Sequence, residues 1–142
     1  MANELIIKNG LTSKGQTSLE GGLTATTISA TTYQNLPSSD LTVTEYTAST
    51  TTLSLSDSGK LLQLNNASAN DLEVPLNSAV AFPIGTQILI MQYGAGQTTV
   101  ISSGGVTLRS SGGKTKLAAQ YAMGSLIKID TDEWVLAGDI TT

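Results

Sequence analysis

AVAFPIGTQILIMQYGAGQTTVISSGGVTLR, residues 79–109, decides how this chain folds. Its densest apolar run, Ile88-Leu89-Ile90-Met91, is closed on one side by Pro83-Ile84-Gly85 and on the other by Gly94-Ala95-Gly96. A run so short, β-branched and bracketed by turn residues reads as a fully buried strand rather than a helix. Gly94-Ala95-Gly96-Gln97 then turns the chain back, and Thr99-Val100-Ile101 reads as the returning strand. Gly104-Gly105 turns it again into Val106-Thr107-Leu108-Arg109, which alternates with a period of two. Three strands joined by glycine turns predict a meander, to which the rest of the chain is added.

Upstream of it, Leu41, Val43, Leu53 and Leu55 alternate with Thr and Ser, as in strands with one buried face. Asp57-Ser58-Gly59-Lys60 reads as a hairpin-type turn leading into a strand at Leu61-Leu62-Gln63-Leu64. Asp71-Leu72-Glu73-Val74 makes a short strand that Pro75 ends or confines to an edge. Downstream, residues 116–123 fit a helix and a strand about equally and are read as extended by context. Ser125–Ile129 and Glu133–Gly138 read as the last two strands, turned by Asp130-Thr131-Asp132. Many short strands at about ten-residue spacing predict an all-β domain over 41–142, a small antiparallel β-sandwich or β-barrel.

Residues 1–37 have a different texture, an extended arm or stalk that Leu36-Pro37-Ser38-Ser39 separates from the domain. Apolar residues are sparse there: Leu5, Ile6, Ile7, Leu11, Leu19, Leu23, Ile28, Tyr33 and Leu36, among small polar ones. Such a strand cannot hold itself folded. It is either a flexible arm or an arm ordered on identical arms or on another protein. The persistence of apolar residues along its length favours the second, and makes these nine residues the candidate assembly and attachment set.

The totals exclude several functions. With a net charge of −4 and only seven basic residues, the chain lacks the clustered cations that phosphate binding requires, so no nucleic-acid partner is expected. Apolar runs are too short to span a membrane, and the N-terminus shows no signal-peptide pattern. Cysteine and histidine are absent. That removes thiol and Ser–His–Asp catalysis and nitrogen- or sulfur-ligated zinc. No catalytic, cofactor-binding or metal-binding residue is assigned, no cofactor is expected, and the chain is read as not an enzyme. Ser111-Gly112-Gly113-Lys114-Thr115 brushes against a phosphate-binding loop, but Leu108 stands where the first glycine belongs. Asp130, Asp132 and Glu133 gather three carboxylates that turn chemistry explains without a cation. Trp134 reads as a core or interface anchor, or else as a sugar-stacking platform.

A resemblance lies in the order of short motifs. Leu53-Ser54-Leu55-Ser56-Asp57-Ser58-Gly59-Lys60 comes first, then Val74-Pro75 and Ala81-Phe82-Pro83-Ile84-Gly85-Thr86-Gln87. Gly94-Ala95-Gly96-Gln97, Gly105–Ser110, Ile127-Lys128-Ile129 and Trp134–Gly138 follow. Together they resemble a module of tailed-bacteriophage structural proteins, over roughly residues 50–139. Residues 28–37 are also similar to stalk segments of phage fibres. The resemblance implies a virion appendage, made in the host cytoplasm, usually trimeric and attached by its N-terminal region. It brings no catalytic residues. Shortness favours a head fibre or capsid decoration whose arm contacts other virion proteins. The alternative is a tail-fibre tip binding host surface glycan, with Trp134 and the glycine loops near Gly94 and Gly112 as candidate contacts.

Overall fold

The structure is a computed structural model, and it describes residues 40–142. These belong to one compact unit, Ser39–Thr142. The nine arm residues from Leu5 to Leu36 lie outside the described residues.

The domain is all-β, as expected. Among the described residues eleven strands form two mixed sheets: β1 (Val43–Tyr46), β2 (Thr50–Thr52), β3 (Leu61–Leu64), β4 (Asn70–Val74), β5 (Gln87–Gln92), β6 (Thr98–Ser102), β7 (Thr107–Ser110), β8 (Lys116–Leu117), β9 (Met123–Asp130), β10 (Glu133–Gly138) and β11 (Ile140–Thr141). Sheet A has the order β1-β3-β5-β9-β10-β7 and sheet B the order β11-β8-β6-β4-β2. The segment 116–123 is a two-residue strand followed by a turn, with no helix.

Two expectations are corrected. The strands of the 79–109 stretch form where the pattern puts them, but they are not a meander. β5 lies in sheet A, β6 in sheet B, and β7 at the far edge of sheet A. Nor is the sandwich antiparallel: β1, β3 and β5 run parallel to one another, as do β2, β4 and β6. The chain coils, laying one strand in each sheet per circuit. Parallel neighbours need a crossover, and here the strand in the opposite sheet supplies it. An antiparallel layer then closes the stack, β9 on β5 and β8 on β6, with β10 and β7 completing sheet A.

The coil depends on how the chain passes from sheet A to sheet B. The turns 47–49, 65–69 and 93–97 stack on one another through their backbones. Asn65 N–H donates to Tyr46 O at 2.7 Å, and Gly96 N–H to Asn66 O at 2.9 Å. A Cβ on Gly94 would sit 2.2 Å from Asn66 O, and one on Gly96 1.9 Å from Ser68 O. These glycines serve close backbone approach rather than a left-handed turn.

Strand alternation then fills the core. Sheet A contributes Leu62, Leu64, Ile88, Ile90, Leu126, Trp134 and Leu136, and sheet B contributes Leu72, Val74, Val100 and Leu117, all buried. The Ile88–Met91 strand is buried on one face only: Ile88 and Ile90 are fully enclosed, whereas Leu89 and Met91 point out and are half-buried. The inserted loop 75–86 brings Phe82 edge-on against Trp134, with ring centroids 5.3 Å apart. Buried Lys128 pins that loop, donating from Nζ to Phe82 O at 2.8 Å and to Asn77 Oδ1 at 2.5 Å.

Candidate functional site: an unusual sheet face and a notched edge

The two outer faces of the sandwich differ in chemistry. Outward positions across sheet B read Thr50, Asp71, Thr99, Lys116 and Thr141 along one register row. A second row reads Thr52, Glu73 and Ile101. Thr52 Oγ1 and Ser103 Oγ donate to the Glu73 carboxylate at 2.9 and 2.7 Å and hold it below its ordinary pKa. That is how a solvated sheet face looks.

Sheet A is the reverse. One outward row reads Val43, Leu61, Leu89, Ser125 and Ala137, and another reads Glu45, Gln63, Met91 and Met123. Ile127 stands beside Gln87 and Val135, and Leu41 lies against the same surface next to Leu89. Val43 is 51% exposed and Met123 42%. Charge is confined to the margins, to Glu45 on β1, to Lys60 just ahead of β3 and to the Arg109–Glu133 ion pair at the β7–β10 edge. Six strands at about 4.8 Å spacing, each rising about 3.3 Å per residue, give the whole face, with its Gln63, Gln87 and Ser125, about 400–500 Å² in projection. An apolar patch of a few hundred Å² is the kind of surface feature that often serves interaction. The sequence reads Ile88–Met91 as one fully buried run; that Leu89 and Met91 share an outer face with residues of other strands emerges only from the sheet register.

The groups singled out for chemistry resolve differently. Trp134 is 1% exposed, so it cannot be a sugar-stacking platform. Its place against Phe82 makes it a core anchor, because β10 directs it inward beside Leu136. The Gly94 loop is engaged in the backbone stack. Asp130 Oδ1 accepts from Thr131 N–H at 2.7 Å, a local turn contact. Asp132 Oδ1 accepts from Asn77 N–H at 2.7 Å, and Glu133 pairs with Arg109. Among the described residues no cluster of three potential metal ligands occurs. Ser111–Gly113 is a tight turn in which Gly112 and Gly113 both take the left-handed φ of +69°, and no helix follows it.

Buried polar groups were the residues that sequence reasoning missed. Asn70, Gln92 and Thr98 occupy inward positions where the chain crosses between sheets. Thr98 Oγ1 donates to Asn70 Oδ1 at 2.9 Å, and Thr98 N–H to Gln92 Oε1 at 3.1 Å. Buried Asp57 accepts from Tyr46 Oη at 2.8 Å and from Ser54 N–H at 2.8 Å. Burial, reinforced by this carboxylate, pushes the Tyr46 pKa up to about 12. Their signal was polar side chains at core parity, and their work is structural.

One opening stands out, in the edge of sheet A. There β10 runs past the end of β7 through Ala137 and Gly138, leaving a notch of about 420 Å³ beside the Gly112 turn. Among the described residues no helix is long and apolar enough to cross a membrane. No protein-family model matches the chain, and no match is found among curated proteins.

Proposed function

We propose that the chain is a non-enzymatic structural protein of a bacteriophage virion, a short head-fibre or capsid-decoration appendage. In this reading it assembles as a homotrimer through the outer face of sheet A, and residues 1–37 attach it to other virion proteins. The observation that carries the proposal is the contrast between the two sheets. A threonine-rich, charged face is suited to water, whereas the other, about 400–500 Å² in all, gathers Val43, Leu61, Leu89, Met91, Met123, Ile127 and Val135 and is suited to further copies. With relief from its side chains, that face approaches the roughly 800 Å² per partner that stable interfaces bury. Its charges lie at the rim, so identical faces meet with little like-charge repulsion. The order of the sequence motifs supplies the virion context.

Light scattering on the full-length protein tests the assembly. A mass three times that of the chain is expected, and a monomer at all concentrations would overturn it. Mass spectrometry of density-banded phage particles tests the placement. The chain is expected in the particle fraction, and its presence only in the soluble lysate would count against a virion role. The second reading, an adhesin at a tail-fibre tip, is favoured by the notch beside Gly112.

A further inference from the structure

Tyr121 stands where the backbone asks for glycine. Its N–H donates to Gln92 O at 2.6 Å, and Gln92 N–H donates to Ala122 O at 3.1 Å. Two residues thus oppose one, a β-bulge whose first position is ordinarily a glycine in the left-handed region. Ala122 N–H also donates to Ala119 O at 3.0 Å, closing a turn whose left-handed third residue again favours glycine. Tyr121 has φ +68°, alone in this among the non-glycine residues described. Strain of this kind gathers at binding and switch sites.

The side chain held out in this way meets Tyr93, with ring centroids 6.0 Å apart and planes at 80°. Tyr93 continues the outward parity of Leu89 and Met91 on β5. The pair therefore extends the outer face of sheet A just past Met91 and Met123. The contact leaves the corner open: Tyr121 is 62% exposed, Met123 42% and Tyr93 40%. Residues 74–108 and 117–127 contain no Asp, Glu, Lys or Arg, so both segments that build the corner are uncharged. The amide of Gln120, which could serve a sugar hydroxyl, is spent on Tyr93 O at 3.0 Å. Such a surface suits another apolar protein surface better than a saccharide.

We propose that this corner anchors the contact between copies of the chain, with a second copy packing on Tyr121, Tyr93 and Met123. Interfaces concentrate tyrosine and methionine, and tyrosine is among the residues that carry most of their energy. A ring already fixed by the bulge loses little freedom on contact. A second copy brings an equally uncharged corner and so meets no repulsion there. The inference rests on the assembly reading above and adds where on sheet A the contact is centred.

Light scattering across a dilution series compares the full-length parent with Tyr121→Gly, which relaxes the strained backbone and removes the ring. A cooperative melt is expected to persist, while the dissociation constant of the assembly rises about thirtyfold or more. A variant that assembles as tightly as the parent overturns the inference and leaves the assembly reading standing. A parent that is monomeric at every concentration overturns both. Hydroxyl-radical footprinting of the parent needs no variant and reads tyrosine and methionine directly. Tyr121 and Met123 are expected to oxidise several-fold more slowly in the assembled protein than after dilution to monomer. Equal oxidation in the two states overturns the inference and turns the corner toward a foreign partner.

Discussion

Gly96 shows how much one hydrogen atom in place of a side chain can decide. A Cβ there would lie 1.9 Å from a backbone oxygen that cannot move without disturbing the turn stack. Gly96→Ala is expected to cost about 3 kcal/mol or more, whereas Gly104→Ala, with open space around it, should stay within about 0.5 kcal/mol. Urea midpoints of the two variants check this. Tyr46 offers a second test. Its pKa is raised in the fold to about 12 from 10.0, so the native state keeps a proton that the unfolded chain gives up. The contribution is complete below about pH 10 and is lost as pH climbs towards 12. Thermal melts between pH 9 and 12 should fall less steeply for Tyr46→Phe than for the parent. The sequence announced neither residue's role. Gly96 read as a turn residue, because close approach leaves no mark that distinguishes it from a positive φ. Asp57, which binds Tyr46, read only as part of a hairpin-type turn because its partner lies eleven residues away.

At the scale of elements, alternation placed the strands well and their partners poorly. Period-two patterning reports which side chains point inward, and Leu62, Leu72, Ile88, Ile90, Val100 and Leu126 all obey it. It says nothing of the direction of a neighbour, so the 79–109 stretch fits a meander and a coil alike. Trp134 was legible as an anchor for the same reason, being inward on β10. The apolar face was not legible, since it collects residues from β1, β3, β5 and β9 that are far apart in sequence. The ladder predicts its own order of opening. Among the described residues β5 and β9 have paired neighbours on both sides, whereas β1, β2, β7 and β11 are edges. Amide hydrogen exchange should be slowest in Ile88–Ile90 and Leu126–Lys128 and fastest in the four edge strands. Equal protection in β1 and β5 of the isolated monomer would contradict the assigned pairing.

For the whole molecule, the question is what covers sheet A. Leu89 stands near the middle of the apolar row and is already half in water in the single chain. Leu89→Lys should therefore cost the fold within about 1 kcal/mol while placing like charges face to face across the proposed interface. The expected result is a monomeric mass by light scattering with a melting transition still cooperative. A variant that keeps the parent's mass would move the interface elsewhere.

The chain enters the sandwich through β1, whose one strand neighbour among the described residues is β3. Thr42 O accepts from Leu61 N–H at 3.0 Å at one end of this pairing, and Tyr46 O accepts from Asn65 N–H at the other. Tension applied to the chain ahead of Asp40 must pass through this one ladder before it reaches the core. Pulled along the strand, the bonds of β1 share the load and yield together. Pulled across it, they break in succession, like a zip, at much lower force. The direction of a tether at this end would thus set how hard the domain can be tugged before its first coil unwinds.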